Sequence, residues 1–314
     1  QRIVIPTGSE ITSIDNWRDN LGDGNHYEGG AISAFDNSQP GIMYVGADLT
    51  PAYNSVDYDD NGDGGKVAQV TRQMIHLQEH DLVLVHDRVT ATNPEYPKKW
   101  LLHTWTKPAT ATERVLRGSE HNGILESLDR EATIAHEDAV LRVVRLLPAR
   151  AMLRKVGGPE YRFFVNSEGI DLAGRNMAEG VKDQPWFDTG LWRLEIQPQS
   201  GNLFDRFLVV LQVGAAKQFR PVSCQTIEGD QIVGACLPNH VVLFGKKGTW
   251  KGTATYTVPE GEARTNILVD LPPNRPIHIT AGEQPISMKS SPEGMITFAL
   301  DVQPRPVRVT VRVK

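Results

Sequence analysis

One stretch, residues 67–108, constrains the fold more than any other part of the chain. Its sequence is VAQVTRQMIHLQEHDLVLVHDRVTATNPEYPKKWLLHTWTKP, and it contains three runs rich in β-branched and large apolar residues, separated by chain-breaking residues. These runs, residues 67–77, 81–89 and 99–106, predict three consecutive strands. The segments between them are too short to hold a crossover helix, so we expect the strands to pair antiparallel as a meander.

Strand patterns continue on both sides of this meander. Residues 1–66 are irregular apart from a short strand at residues 3–5. Residues 140–147 suit a helix or a strand by periodicity alone, but their β-branched content and the Leu-Pro stop favour a strand. Short β runs separated by turns are found at residues 115–150, 160–166, 192–197 and 206–212.

Beyond residue 221, short strands recur at the spacing of a small sandwich. No helix longer than two turns is required anywhere in the sequence. We therefore predict an all-β chain, with a large antiparallel β-sandwich in residues 1–218 followed by a smaller C-terminal β-sandwich in residues 219–314. The predicted C-terminal strands are residues 222–226, 231–235, 241–244, 252–257, 265–269, 277–281, 295–299 and 307–313.

Composition limits the classes of partner. The chain has 314 residues, enough for a large β domain plus a small one, and its net charge of −5 gives no electrostatic reason to expect nucleic acid or an anionic membrane as a partner. No run approaches the roughly 18 apolar residues that span a bilayer. The first residues, QRIVIPTGSE, lack the basic start and apolar core of a signal peptide.

The two cysteines, Cys224 and Cys236, flank a turn signal at residues 228–230. Folding the hairpin about Asp230 brings the cysteines opposite each other. The sequence therefore leaves two states open, a cross-strand disulfide and two buried free thiols. A disulfide would indicate an oxidising compartment such as the periplasm.

Residues 17–58 are dense in Gly, Asp, Asn and aromatic residues, a composition that favours long loops. Loops on a rigid sheet often carry binding groups. An aromatic ring stacks on a pyranose, and arginine pairs with a uronate or sulfate. The candidate sugar-contacting residues are Trp17, Arg18, His26 and Tyr27; the alternative is that these side chains plug the end of the sandwich.

A candidate calcium loop follows at residues 57–65. Asp59, Asn61 and Asp63 stand at alternate positions with Gly64 next, as in the first half of an EF-hand loop. The acid expected eleven positions after Asp59 is replaced by Val70, so a Ca²⁺ site would need ligands from elsewhere. The alternative is a solvated acidic hairpin loop.

Several segments, in the same order along the chain, resemble the C-terminal β-sheet region of the heparinase II/III family of polysaccharide lyases. The resemblance covers most of the chain and implies an all-β fold and β-elimination on an acidic polysaccharide. The segments are VTRQ with Arg72, HDRVTATNP at residues 86–94, KKWLLHT at 98–104, TGLWRLEIQP at 189–198, FLVVLQV at 207–213 and IEGDQIVGACL at 227–237.

The catalytic groups of that family are not found here. β-Elimination needs a neutralised uronate carboxylate, a base for the C5 proton and an acid for the leaving oxygen. In the family, a tyrosine and an asparagine lie in an N-terminal helical toroid, and a histidine with a zinc-binding His-x-His, Asp and His set lies early in the sheet domain. The chain has no His-x-His, no Ala-His-Asn and no toroid-like helical stretch. We therefore expect it to need a helical domain or a separate helical chain for activity; the alternative is that it has lost catalysis.

Among the remaining histidines, His103 is the catalytic candidate. Leu101, His103 and Trp105 share one face of the third predicted strand, and His103 could face a cleft against the toroid. The alternative is a satisfied core histidine. A second candidate is an Asp87–Arg72 pair across adjacent strands, which would fix the register, with carboxylate binding by Arg72 or Arg88 as the other interpretation.

Three functional hypotheses remain. The first is the β portion of a polysaccharide lyase, periplasmic or secreted, that acts on an acidic polysaccharide with a helical domain. The second is a non-catalytic carbohydrate-binding module, and the third is a structural β-sandwich. A lyase portion should expose a broad apolar flank where the helical domain packs. A binding module should instead have a polar surface with one aromatic-lined groove.

Overall fold

The computed structural model describes residues 30–54, 65–166, 174–176, 190–199 and 201–314. Within them the chain forms four β-sheets, and the only helical elements are single 3-10 turns at Pro51–Tyr53 and Gln78–His80. None of the described helical segments is long or apolar enough to cross a membrane. The predicted all-β class is therefore confirmed.

The first sheet has seven strands in the order β1-β2-β3-β4-β12-β9-β8, and every neighbouring pair is antiparallel. β3 and β4 pair as the sequence predicts, and the short Gln78–His80 turn joins them. The strands are β1 (Ala31–Asp36), β2 (Ile42–Asp48), β3 (Val67–Leu77), β4 (Leu82–Ala91), β8 (Glu131–His136), β9 (Ala139–Leu147) and β12 (Phe204–Ala215).

The second sheet has five strands in the order β5-β11-β10-β7-β6. It corrects the predicted meander, because the third run pairs with β11 in this sheet and not with β4. The free edge of β4 is taken by β12, and the proline-containing segment after β4 leads the chain to the facing sheet. The strands are β5 (Trp100–Thr104), β6 (Arg114–Ser119), β7 (Asn122–Ser127), β10 (Ala151–Gly157) and β11 (Trp192–Pro198).

The C-terminal strands form the third and fourth sheets, in the orders β13-β14-β15-β17-β20 and β16-β21-β18-β19. β15 and β17 pair in parallel, whereas the other pairs are antiparallel. The strands are β13 (Gln225–Glu228), β14 (Ile232–Cys236), β15 (His240–Gly245), β16 (Thr253–Val258), β17 (Arg264–Leu268), β18 (Pro276–Ala281), β19 (Gln284–Lys289), β20 (Ile296–Leu300) and β21 (Val307–Val313).

The four sheets are stacked as layers, with three apolar cores between them. One core joins the first and second sheets, and another joins the third and fourth. A third core lies between the first and third sheets, where Leu84 and Leu208 pack with Val242, Phe244 and their neighbours. The two sandwiches are therefore packed face to face. The domain boundary at residue 218 stays a prediction, although the strands on either side of it belong to different sheets.

Three local expectations were wrong. β1 and β2 are strands in the segment expected to be irregular, because their apolar residues extend the first sheet by antiparallel pairing of β2 with β3 and of β1 with β2. Residues 160–166 form turns with one isolated bridge at Phe164, since Tyr161 and Phe164 pack on the outer face of the second sheet over Val156. β19 was not predicted, and it is mostly exposed.

The cysteines are free. The β13–β14 register places Gln225 opposite Cys236, so Cys224 is displaced by one residue from the position that a cross-strand disulfide requires. Cys236 contributes to the core between the third and fourth sheets, whereas Cys224 packs against the core between the first and third. The disulfide argument for an oxidising compartment is therefore removed.

We expect Phe244→Ala to destabilise both sandwiches together. Phe244 is fully buried in the shared core, and truncating a buried phenylalanine costs about 3–5 kcal/mol of unfolding free energy. Hydrogen–deuterium exchange should show that peptides from the first and third sheets lose protection to the same extent. Val302→Ala, at a side chain 68% exposed, is the control. Loss confined to the C-terminal sandwich would contradict the coupling.

Candidate functional site

A polar groove lies at the edge of the first sheet, where β1 to β4 meet the turns of the C-terminal sandwich. Its volume is about 370 Å³, which is within the range of small-molecule sites. The lining is mainly hydroxyl, amide and charged groups, which suits a ligand rich in hydroxyls. Groups at the rim include Ser33, Gln69, Thr71, Lys247, Thr249 and Glu293.

The floor of the groove is a buried ion pair between the two sandwiches. Arg88 of β4 donates from Nη1 to Asp270 Oδ2 at 2.8 Å and to the Gly245 carbonyl at 3.0 Å, and its Nε donates to Thr71 Oγ1 at 3.0 Å. Asp270 also accepts from the Gly245 backbone N–H at 2.9 Å and from Gln73 Nε2 at 2.8 Å. Both charged side chains are thus desolvated but well paired.

Tyr44 of β2 lies beside this pair, and its hydroxyl group can both accept a hydrogen bond from the protein and donate one to a ligand. Gln73 Nε2 donates to its hydroxyl oxygen at 2.7 Å, and the residue is only 3% exposed. Burial and the charge of Asp270 raise the pKa of Tyr44 far above its ordinary value of 10. The phenol therefore keeps its proton, which no described residue accepts in a hydrogen bond.

His86 supports the floor from below. It is fully buried and stacked on Phe244 at 4.7 Å between ring centroids, and its Nδ1 lies 3.2 Å from Gln73 Oε1. Burial, reinforced by Arg88 and Arg206, holds the pKa of His86 well below 6.5. The imidazole is thus neutral, and its Nε2 has no hydrogen-bond partner among the described residues.

These groups give the groove binding capacity and a proton donor. The neutral imidazole of His86 is too deeply buried to reach a ligand, and Asp270 is held by Arg88, Gln73 and Gly245. Among the described lining residues, the floor therefore provides no accessible general base. The arrangement is suited to holding a hydroxyl-rich ligand and donating to one of its oxygens.

Most of the site residues predicted from sequence lie outside the described residues. This applies to the candidate sugar contacts Trp17, Arg18, His26 and Tyr27, and to the candidate calcium ligands Asp59, Asn61 and Asp63. These predictions stand untested.

The structure does describe His103. It lies on the exposed face of β5 with Leu101 and Trp105, whereas Trp100 is buried on the other face. The alternative of a core histidine is therefore wrong. Partial burial and the neighbouring Arg193 lower the pKa of His103, and Glu195 opposes that shift. The face of the second sheet that bears His103 points away from the first sheet, so the structure does not bring His103 to the groove.

The predicted Asp–Arg pair is confirmed. Arg72 and Asp87 are opposite each other in the β3–β4 register, and the guanidinium donates to both carboxylate oxygens, at 2.8 and 2.6 Å. Asp87 is 5% exposed. Both Arg72 and Arg88 are thus paired with carboxylates of the protein. Binding of a ligand carboxylate by either arginine stays a prediction.

Sequence reasoning missed Tyr44, Gln73 and Asp270. The alternation in IMYVGAD places Ile42, Tyr44 and Gly46 on one face of a strand, which could have indicated β2. The partner of Arg88 lies 182 residues further along the chain, and no local pattern signals such a contact.

No protein-family model matches the sequence, and no curated protein matches it. Among solved structures, the fold is similar to a heparan sulfate lyase HepC mutant from Pedobacter heparinus, with a TM-score of 0.34 and 11% sequence identity. The match covers 66% of this chain and 26% of the lyase. The chain thus spans about a quarter of that enzyme's length.

We expect His86 to make the fold sensitive to acid. Its folded-state pKa is depressed, so below pH 6.5 the unfolded chain binds a proton that the folded chain does not, and stability falls as the pH falls. This one group contributes a slope of up to about 1.4 kcal/mol per pH unit. Urea unfolding between pH 7 and 5 should show that slope reduced in His86→Leu. His121→Leu, at an exposed histidine, should keep it, and equal slopes in both variants would contradict the assignment.

Proposed function

We propose that this chain is the β region of a polysaccharide lyase that cleaves an acidic, uronate-containing polysaccharide by β-elimination. In this proposal a helical domain supplies the principal base and acid, and the protein is periplasmic or secreted, where such polymers are met. The colinear resemblance to the heparinase II/III family from Arg72 to Leu237 motivates the proposal.

The observation that carries the proposal is an apolar flank on the outer face of β1 to β3. We define the flank as Ile32, Phe35, Met43 and Met74, which are 68, 52, 38 and 37% exposed. Phe35 is opposite Val45, and Val45 is opposite Met74, so the apolar side chains cross three adjacent strands. An antiparallel sheet face that meets only water is normally polar.

The second sheet does not cover this flank. The core between the first two sheets draws on β4, β8, β9 and β12 of the first sheet but on none of β1 to β3. Within the described part of the chain, the outer face of β1 to β3 therefore remains open. Exposed apolar surface of this kind is typical of a site where another domain packs.

The groove and the flank lie on opposite faces of the same edge strands. A domain packed on the flank would stand at the sheet edge where the groove opens, and it could supply the base that the floor of the groove lacks. Tyr44 would then donate to a sugar oxygen, and Lys247, which is exposed at the rim, would attract the carboxylate.

The second candidate function is a non-catalytic carbohydrate-binding protein. The hydroxyl and amide groups that line the groove favour this function. The Tyr44 hydroxyl also favours it, because its hydrogen has no acceptor among the described residues. A purely structural sandwich needs neither the groove nor the flank.

Activity of the full encoded polypeptide tests the lyase proposal. Heparan sulfate, chondroitin sulfate, alginate and ulvan should be assayed by the ultraviolet absorbance of the unsaturated uronate that β-elimination leaves. The double variant Phe35→Ser, Met74→Ser should lower kcat/KM by about a hundredfold, because misplacing a reacting group by about 1 Å costs that much. Its unfolding free energy should stay within about 0.5 kcal/mol, since both side chains are exposed.

Val302→Ser is the matched control, because Val302 is as exposed as Ile32 but lies in the C-terminal sandwich. It should leave turnover unchanged. If the full polypeptide yields no unsaturated product from any of these polymers, the lyase proposal fails. If this chain binds a polymer without cleaving it and Tyr44→Phe weakens the binding, the carbohydrate-binding function replaces it.

A further inference from the structure

A cluster of two histidines and a glutamate lies where a turn of the first sandwich meets a turn of the second. Glu79 and His80 belong to the 3-10 turn between β3 and β4, and His240 is the first residue of β15. Their nearest nitrogen and oxygen atoms all lie within 4.8 Å of one another. Glu79 Oε1 is 3.9 Å from His80 Nε2, and the two imidazole rings are nearly perpendicular.

His240 is the unusual member of this cluster. It is only 8% exposed, yet its buried Nδ1 has no hydrogen-bond partner among the described residues. Buried polar atoms are normally paired, so a buried imidazole without a partner calls for an explanation.

We propose that Glu79, His80 and His240 bind one Zn²⁺ ion. Two imidazole nitrogens and one carboxylate oxygen are a ligand set that zinc accepts, with water in the fourth position. Ca²⁺ and Mg²⁺ prefer oxygen ligands. The site shares no residue with the predicted calcium ligands Asp59, Asn61 and Asp63, and it does not depend on the glycan proposal.

The side chains can close around an ion without moving the sheets. Zinc bonds are about 2.0–2.2 Å long for nitrogen and carboxylate ligands, so the three ligand atoms must approach one another. Glu79 has the freedom to do so, because its side chain is 58% exposed, and His80 stands on the same turn.

Asn239, which precedes His240 in the sequence, can contact the site both without and with a bound zinc ion. Its amide nitrogen lies 3.1 Å from Glu79 Oε1 and 3.4 Å from His80 Nε2. The amide thus donates to Glu79 while the site is empty. Turning the amide by half a turn would present its oxygen to the ion or to the zinc-bound water.

An ion held here would join the two sandwiches at a second point, just before the start of β4, whereas Arg88 lies near the end of that strand. Two ligands belong to the first sheet's β3–β4 turn and one to the third sheet. Because the unfolded chain does not hold these ligands together, zinc binding should stabilise the folded state.

Titration of the tag-free chain with ZnCl₂ tests the proposal. Calorimetry should find one ion per chain, and thermal unfolding should move to higher temperature with zinc and return after EDTA. His80→Ala and Glu79→Gln should each weaken zinc binding by at least about tenfold, as loss of a ligand exceeds the effect of loss of a supporting contact. His121→Ala, an exposed histidine outside the cluster, should bind as the unaltered chain does.

Three results would overturn the proposal. The first is zinc affinity that His80→Ala and Glu79→Gln leave unchanged. The second is stabilisation by CaCl₂ that equals or exceeds that by ZnCl₂. The third is no shift of the unfolding temperature with zinc in the unaltered chain. Because His80 and Glu79 are not in the apolar core, both variants should fold, and their circular dichroism without zinc checks this.

Discussion

The face-to-face contact between the first and third sheets underlies the rest of the structure. A sheet in an ordinary two-layer sandwich buries one face, but here much of the first and third sheets is buried on both faces, in the shared core and in the core of each sandwich. β12 shows the result in its sequence, because consecutive residues from Phe207 to Val210 are all buried. Such continuous apolar runs are typical of strands covered on both sides.

The polar contacts between the sandwiches follow from this packing. Arg88 and Asp270 lie at the rim of the shared core, where the apolar layer gives way to the groove. Each of these groups would be costly to bury alone, and together with Gln73 and Gly245 they satisfy one another. The same dry surroundings keep His86 neutral and Tyr44 protonated, so the groove's chemistry depends on the layer contact.

The second sheet covers only part of the first sheet. The surfaces to which we assign functions lie at the edge and turn of the first sheet that are left accessible. β4, β12, β9 and β8 are sandwiched, whereas the outer face of β1 to β3 is open and apolar. The groove opens on the other face of these strands. At the far end of β3, the turn to β4 meets His240. The sheet edge and this turn are therefore the places where another domain, a glycan and a zinc ion could each be held, as we propose.

Local sequence patterns predicted much of the fold, because the alternation of apolar and polar residues and the preferences of turn residues act over a few positions. They predicted β3, β4, β9 and most C-terminal strands, as well as the Arg72–Asp87 pair, whose register is set by one short turn. They failed where the outcome depended on distant partners. β5 has a strand's sequence, but whether it joins β4 or β11 is decided by β12, which occupies the edge of β4.

The same division applies to the sites. The sequence by itself determined the all-β class, the run of residues that forms β5, and the paired charges of β3 and β4. The exposure of His103 was decided by the structure. Only the tertiary structure decided that Asp270 would meet Arg88, that the two thiols would face different cores, and that His240 would meet Glu79 and His80. The two charged contacts join segments from 160 to 182 residues apart, and the placement of the thiols depends on a one-residue register. Both are settled by the packing of whole sheets rather than by local preference.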